Sequence, residues 1–212
     1  MSGGHTNAAP AKRRARAVES FGSAADCIGS VEPGMSLFAV TRGQFSMLDI
    51  VSVLIKAAGQ GCAVSVWTWA LAEYEVACFE AFMESDEIAS AVLVVDRSAE
   101  HKNASVLESW RARFGTDAVR VCKNHAKIAT VTGGDLRLLA RGSMNLNYNP
   151  RFEQFDITEG GEDYELVASI EAGLPVLPAK CSNTEARAAS GVNAGFGLEE
   201  LTMFRGVKPW KA

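Results

Sequence analysis

Short apolar runs alternate with helical stretches along the middle of the chain, and this alternation limits the fold more than any other feature. The runs with strand character are 36–40, 62–69, 91–95 and 118–122. Between them apolar residues recur at helical spacing, as Met47, Ile50 and Leu54 do after the first run. Strands that alternate with helices pair in a sheet that the helices cover. The sequence therefore predicts an α/β fold, with a mixed, largely parallel sheet flanked by helices.

Local signals add helix boundaries and buried faces. Ser46, followed by Asp49, is similar to a capping box and predicts the start of the first helix, and Gly59 predicts its end. A second helix is predicted over 72–83, with a buried stripe of Tyr74, Ala77, Cys78, Ala81 and Phe82. A third amphipathic helix is indicated by Leu107, Trp110 and Phe114.

Two tryptophans lie two residues apart in the second strand, so Trp67 and Trp69 share one face of the sheet. Exposed indoles would stack on nucleic-acid bases or line a pocket. Buried indoles would cover the sheet beneath a helix, and this core interpretation is the favoured one.

The composition is that of one folded domain, which we assign to 20–178. The 212 residues are 48% hydrophobic, enough to bury a substantial core. The net charge of −4 gives no overall positive field for a nucleic-acid partner, although a local groove can still be basic. No apolar run reaches membrane-spanning length, and no signal peptide is apparent. We expect a cytoplasmic protein without membrane insertion.

The five cysteines are Cys27, Cys62, Cys78, Cys122 and Cys181. Their odd number and scattered positions fit neither a disulfide framework nor the spacing of metal ligands. Cys27 and Cys78 can be interpreted as reactive thiols, but buried, reduced cysteines are the favoured interpretation. His5 and His101 also lie outside any ligand spacing, so we expect no metal site and no cofactor.

Both ends of the chain differ in composition from the domain. Residues 1–19 are predicted to form a disordered basic arm, which contains Lys12, Arg13, Arg14 and Arg16. These cations either bind nucleic-acid phosphates or belong to a solvated tail. Residues 179–212 form a C-terminal extension whose structure the sequence does not predict.

The most informative stretch is a predicted hairpin that follows the last parallel strand. Residues 125–131 have strand character, which places His125 and Lys127 on one face. Gly133 and Gly134 supply the positive φ of a two-residue turn. If they form the turn, His125 lies opposite Gly142 in the returning strand.

The residues of this hairpin resemble the HKD signature of the phospholipase D superfamily, His-x-Lys followed by an Asp and then Gly-Ser-x-Asn. The matching residues are His125, Lys127, Gly142, Ser143 and Asn145. Glu153 lies where many members carry a downstream acid. The chain departs from the signature at the Asp position, which is Thr132, and in a longer gap before Gly142. Asp135 is a candidate replacement for the missing Asp.

The resemblance implies a phospholipase D/nuclease-like fold and a metal-independent phosphodiesterase, most simply a nuclease. His125 would form a phosphohistidine, with Glu153 orienting its ring. Lys127, Ser143 and Asn145 would hold the phosphate oxygens, and Gly142 would contact the substrate. Family members with one motif form dimers, so the single His-x-Lys implies a homodimer with a composite active site.

Two alternatives remain open at this stage. A lipid phosphodiesterase would use the same chemistry on a phospholipid. A catalytically inactive binding or assembly module would explain the missing Asp and the acidic balance of the chain.

Overall fold

The computed structural model of the chain describes residues 13–18 and 22–176. The predicted extension 179–212 lies outside them, as do Lys12 and the rest of the predicted arm. The strands are β1 Arg13–Val18, β2 Ser36–Thr41, β3 Cys62–Thr68, β4 Ile88–Asp96, β5 Val119–Cys122, β6 Lys127–Gly133, β7 Leu136–Gly142 and β8 Glu153–Glu159. The helices are α1 Ala24–Ile28, α2 Met47–Ala58, α3 Glu73–Glu84, α4 Ala99–Lys102, α5 Ala104–Phe114 and α6 Glu162–Gly173.

The eight strands form one mixed sheet in the order β1-β2-β8-β7-β6-β3-β4-β5, which confirms the predicted α/β class. Six strands run in one direction, and β6 and β8 run against them. Because the two reversed strands lie inside the sheet, four of the seven neighbouring pairs are antiparallel. The prediction of a largely parallel sheet is therefore wrong for its centre, where the hairpin and β8 enter.

The main core lies on one face of the sheet, beneath α1, α2, α3 and α5. Each of these helices contributes fully buried side chains, among them Ile28, Leu54, Phe79 and Trp110. The opposite face is covered by α6 and carries a smaller cluster around Trp67, Val94, Cys122 and Leu174. Burial of this much apolar surface is the principal stabilising contribution to the fold.

Helix α2 begins as predicted, and α3 is rotated from the prediction. Ser46 caps α2 and forms a capping box with Asp49. In α3 the buried residues are Glu75, Val76 and Phe79, whereas Tyr74, predicted to be buried, is 70% exposed. The Glu75 carboxylate accepts a hydrogen bond from the backbone N–H of Ala72 (2.8 Å). Glu75 therefore caps the helix from a buried position, although the apolar periodicity places no acidic residue on the buried face.

The β6–β7 hairpin is shifted in register from the prediction. Its turn consists of Gly134 and Asp135, and Lys127, not His125, pairs with Gly142. Gly134 supplies the positive φ (+55°). Gly133 stays in the strand, where an added Cβ would lie 2.6 Å from Cβ of Cys62. Gly133 thus serves close packing on β3, which the local turn signal does not reveal.

The prediction of a disordered arm is wrong for residues 13–18. They form β1, which pairs in parallel with β2 at the edge of the sheet. Without β1, the outer side of β2 would present unpaired N–H and C=O groups. Arg14 also donates a hydrogen bond to the carbonyl oxygen of Ser30 (3.0 Å). Charge composition predicts disorder here because it ignores the backbone hydrogen bonds that an open sheet edge offers.

Three of the cysteines, Cys27, Cys62 and Cys122, are buried, as the core interpretation predicts, and Cys78 is half-buried. Burial raises the pKa of the Cys62 and Cys122 thiols, which disfavours the reactive thiolate. Among the helices of the described ranges, none combines the length and the apolarity that crossing a bilayer requires.

Candidate active site

All the motif residues lie along one edge of the sheet, which we call the carboxyl edge. The strands β2, β3, β4, β5 and β7 end there, at Thr41, Thr68, Asp96, Cys122 and Gly142. The reversed strands β6 and β8 begin there, at Lys127 and Glu153. In α/β sheets, ligands bind outside the carboxyl ends of the strands. Because β6 and β8 run in the opposite direction, their first residues, Lys127 and Glu153, also lie at this edge.

His125 and Lys127 are in contact at the centre of the carboxyl edge. His125 is exposed in the loop before β6, and Lys127 is the first residue of that strand. The ammonium Nζ of Lys127 lies 3.2 Å from Nδ1 and 3.4 Å from Nε2 of the imidazole. It also donates a hydrogen bond to the His125 carbonyl oxygen (2.7 Å). A nucleophilic ring and a fixed cation therefore stand side by side.

Lys127 is an unusual cation because only 9% of it is exposed. Burial lowers its pKa, and the carboxylate of Glu153 raises it in part, with a net decrease. A buried ammonium that is incompletely neutralised favours the arrival of an anion, such as a phosphate.

The loop that carries His125 is held by the buried side chain of Asn124. Its Nδ2 donates to the carbonyl oxygens of Thr68 and Val94 (3.3 Å each), and its Oδ1 accepts from the Ala126 N–H (2.9 Å). The backbone N–H of Asn124 donates to the Asp96 carboxylate (3.2 Å). The ends of β3 and β4 thus position His125 through one amide side chain.

Hydrogen bonds within the site, together with burial, set the pKa of Asp96. Burial raises it, but hydrogen bonds from Ser98, Asn124 and Arg97 outweigh this effect, so the pKa lies below its ordinary value. Asp96 therefore remains ionised and also binds the backbone N–H of Ser98 (2.9 Å).

Ser143 and Glu153 face each other beside Lys127. The Ser143 hydroxyl donates to the Glu153 carboxylate and accepts from the Gln154 N–H (3.1 Å). Glu153 also accepts a hydrogen bond from Asn149 (3.5 Å). Glu153 makes no hydrogen bond to His125 in the described ranges, where both residues lie. The predicted role of Glu153 in orienting the imidazole is therefore replaced by contacts to Ser143 and Asn149.

Asn145 joins the site to helix α2. Its carbonyl oxygen accepts from the Met47 N–H (3.2 Å), the first residue of that helix. Its side-chain oxygen is buried and has no hydrogen-bond partner within the described part of the chain. An amide oxygen in this state can still accept a hydrogen bond from a water molecule or a ligand.

Gly142 is required by close packing where β7 ends. A Cβ at this position would lie 2.3 Å from the carbonyl oxygen of Gln154 and 3.0 Å from Cα of Phe155. The small residue of the motif therefore lets β7 and β8 pair closely beside Ser143.

Comparisons with known proteins give little similarity. No family model matches the chain, and no curated protein matches it. Among solved structures, the chain is similar to a phosphatidylserine synthase from Haemophilus influenzae Rd KW20, with a TM-score of 0.45 and 10% identity. The similarity covers 80% of this chain and 46% of that protein, so the chain spans about half of its length.

Several predicted residues lie away from this edge. Thr132 is at the opposite end of β6, about 16 Å from Lys127 at 3.3 Å per residue, and its hydroxyl bonds to that of Tyr164. Asp135 lies in the turn beyond Thr132 and does not replace the motif Asp at the site. Arg13 and Arg14 belong to the start of β1, whose partner residues begin β2. The structure does not bring these two cations to His125.

Sequence reasoning missed Asn124 as part of the site. Asp96 ends a strand at the carboxyl edge, where an acid can either reach a site or cap a loop. The structure shows the loop cap, since its carboxylate accepts from the backbone N–H groups of Ser98 and Asn124. Asn124 precedes His125 directly, and nothing in its local sequence indicates a buried amide. Among the residues the structure describes, no group of three or more His, Cys, Asp or Glu side chains is arranged to hold a metal ion.

Proposed function

We propose that the chain is a phosphodiesterase of the phospholipase D superfamily that cleaves nucleic acid through a phosphohistidine. The observation that carries this proposal is the contact between the Lys127 ammonium and the His125 imidazole at an open sheet edge. The order of His125, Lys127, Ser143 and Asn145 along the chain, which matches the superfamily signature, supports it.

In the first step, a ring nitrogen of His125 attacks phosphorus, so that an N–P bond forms and the P–O bond to the leaving group breaks. Lys127, with the hydroxyl of Ser143 and the amide of Asn145, stabilises the charge on the non-bridging oxygens. The Ser143 hydroxyl has one proton, so its hydrogen bond to Glu153 is released when it donates to a phosphate oxygen.

A second imidazole protonates the leaving oxygen in this step. His125 of the partner subunit supplies it in a two-fold homodimer, since the sequence contains one His-x-Lys. In the second step a water molecule attacks phosphorus and gives its proton to that second imidazole. The N–P bond then breaks, which restores both rings. No step requires a metal ion.

The proposal is tested with bis(p-nitrophenyl) phosphate, a small phosphodiester, in the presence of EDTA. The wild type should release nitrophenolate under these conditions, and His125→Ala should lose turnover entirely. His101→Ala is the matched control, because this histidine is exposed on α4 and makes no described contact with the site. It should retain full turnover.

Because the His125 side chain is exposed, His125→Ala should melt at the temperature of the wild type. A covalent phosphoryl adduct on His125, detected by mass spectrometry after a neutral quench, would support the intermediate. Turnover that chelation abolishes, or that survives in His125→Ala, would refute the proposed chemistry.

A further inference from the structure

Two exposed aromatic side chains flank the catalytic residues at the carboxyl edge. Trp69, directly after β3, is 47% exposed, and its ring centroid lies 5.9 Å from that of His125. Phe152, directly before β8, is 72% exposed. The structure resolves the earlier alternatives for the two tryptophans: Trp67 is in the core, where its indole N–H bonds Glu171 (2.8 Å), and Trp69 faces outward.

A cation lies over each of these rings. The Lys102 ammonium is 5.8 Å from the centre of the Trp69 ring, and the Arg42 guanidinium is 5.4 Å from that of Phe152. Each pair thus combines a flat apolar surface with a positive charge. Aromatic rings interleaved with cations are the pattern of surfaces that bind bases and phosphates together.

The two pairs stand on opposite sides of the reacting groups. The strands between Trp69 and Phe152 run in the order β3, β6, β7 and β8. Three strand spacings of about 4.8 Å separate the first from the last, or roughly 14 Å. His125 and Lys127 belong to the β6 side of this interval. A chain of several nucleotides would extend from one aromatic ring to the other and cross the imidazole between them.

We infer that the carboxyl edge binds single-stranded nucleic acid, with bases stacked on Trp69 and Phe152 and phosphates near Lys102 and Arg42. This inference rests on the proposed function only for the phosphodiester that is cleaved at His125. In a duplex the faces of the bases are covered by neighbouring base pairs, so exposed rings at a rim offer a duplex nothing to stack on. Unpaired bases present both faces, and stacking works with every base.

A phospholipid surface fits these features less well. Insertion into a bilayer requires apolar groups clear of charge, whereas both rings carry a cation over the face. The exposed aliphatic side chains of the described residues, Leu166 and Ile170, lie instead on α6, against the other face of the sheet.

The test measures binding in the His125→Ala background, where the probe is not cleaved. Fluorescein-labelled single-stranded DNA, the same strand as RNA, the annealed duplex and anionic phospholipid vesicles are compared by anisotropy and co-sedimentation. Single strands should bind at least tenfold more tightly than the duplex. Trp69→Ala and Phe152→Ala should each weaken single-strand binding by about tenfold, as expected for the loss of one stacked base.

Two controls separate stacking from charge and from general surface effects. Leu166 is 48% exposed, close to the 47% of Trp69, but lies on α6. Leu166→Ala should therefore leave binding unchanged. Lys102→Ala and Arg42→Ala should reduce the salt dependence of binding by about one phosphate contact each, whereas Trp69→Ala should leave that slope unchanged.

Equal affinity for single strands and duplex, or no effect of Trp69→Ala, would overturn the inference. Vesicle binding that depends on Trp69 would also overturn it in favour of a lipid surface. Hydrolysis of bis(p-nitrophenyl) phosphate by the wild type is measured in parallel, since this small probe tests the chemistry alone. If it is hydrolysed while single strands show no preference, the proposed function stands and the single-strand inference falls. If it is not hydrolysed while single strands bind in preference to the duplex, the single-strand inference stands and the proposed function falls.

Discussion

Lys127 supplies the cation that the proposed chemistry requires, and its burial decreases the stability of the folded protein. The folded state lowers its pKa, so the folded protein binds this proton less readily than the unfolded chain does. Below the folded pKa, Lys127 therefore decreases the free energy of unfolding. That decrease disappears as the pH rises through the folded pKa towards the ordinary value for lysine. A methionine of similar length has no charge to desolvate.

We therefore expect Lys127→Met to raise the melting temperature at neutral pH while it abolishes phosphodiester turnover. The rise should shrink as the pH approaches the ordinary pKa of lysine, because the wild type then loses its charge as well. Thermal melts at several pH values, paired with turnover assays, check both parts. A variant that is less stable at neutral pH would mean that the contacts of Lys127 with His125 contribute more than its desolvation removes.

Glu153 determines how far the pKa of Lys127 falls, because its carboxylate raises that pKa against the effect of burial. Glu153→Gln removes the negative charge and should lower the pKa of Lys127 further. If turnover needs charged Lys127, the alkaline limb of the pH–rate profile should move to lower pH. Glu159→Gln, at the other end of β8, is the matched control and should leave that limb in place. If the alkaline limb moves in both variants, the movement results from the change in net charge and not from the interaction of Glu153 with Lys127.

Among the elements, the close pairing of β7 with β8 depends on the absence of a side chain at Gly142. Gly142→Ala would drive a Cβ into backbone atoms of Gln154 and Phe155, so a strand must shift. We expect a loss of about 2–4 kcal/mol in the free energy of unfolding, the range of severe steric substitutions. The alanine should also reduce turnover sharply, since Ser143 and Glu153 move with these strands.

Gly173→Ala is the control for this element. Its added Cβ meets no atom within 4 Å, and the residue ends α6 with an ordinary φ. Urea unfolding should show a change within about 0.5 kcal/mol of the wild type, as for most surface positions. Equal losses in the two variants would contradict the packing argument for Gly142.

The elements also show what the sequence can predict. Helix α2 and its capping box followed directly from Ser46, Asp49 and Gly59, because these signals act within one turn of helix. The register of the hairpin did not, since Gly133 packs closely on Cys62, which lies 71 residues earlier in the sequence. Strand β1 was missed for the same kind of reason, because its partner β2 lies beyond a helix.

The candidate site likewise contains residues that the sequence predicts and contacts that only the structure shows. The motif residues His125, Lys127 and Ser143 were identified by order along the chain, and the structure brings them to one edge. The contact of Glu153 with Ser143, and the buried amide of Asn124, depend on which strands are neighbours. Neighbours in a sheet with two reversed strands are not given by the order of the sequence.

At the scale of the whole molecule, the proposed composite site predicts both mass and mixing behaviour. Light scattering should report twice the chain mass of 22.6 kDa. When wild type and His125→Ala are mixed in equal amounts and the subunits exchange, turnover per total subunit should be about a quarter of that of the wild type, because only dimers with two intact subunits keep both imidazoles. Independent sites in each subunit would leave half of the turnover, and a monomer with full activity would exclude the composite site.

The hairpin turn lies at the end of β6 and β7 that is far from the carboxyl edge, so the length of the hairpin can change without a change in the candidate active site. Because Gly134 and Asp135 lie at the far end of β6 and β7, residues added in equal number to both strands would lengthen the ribbon without moving Lys127 away from Gly142. A longer stretch of sequence between Lys127 and Gly142 is therefore compatible with the same pairing of these two residues at the carboxyl edge. The same turn is also suited to the insertion of a foreign peptide or a fluorescent label, since the inserted group would project from the side of the molecule opposite the candidate active site.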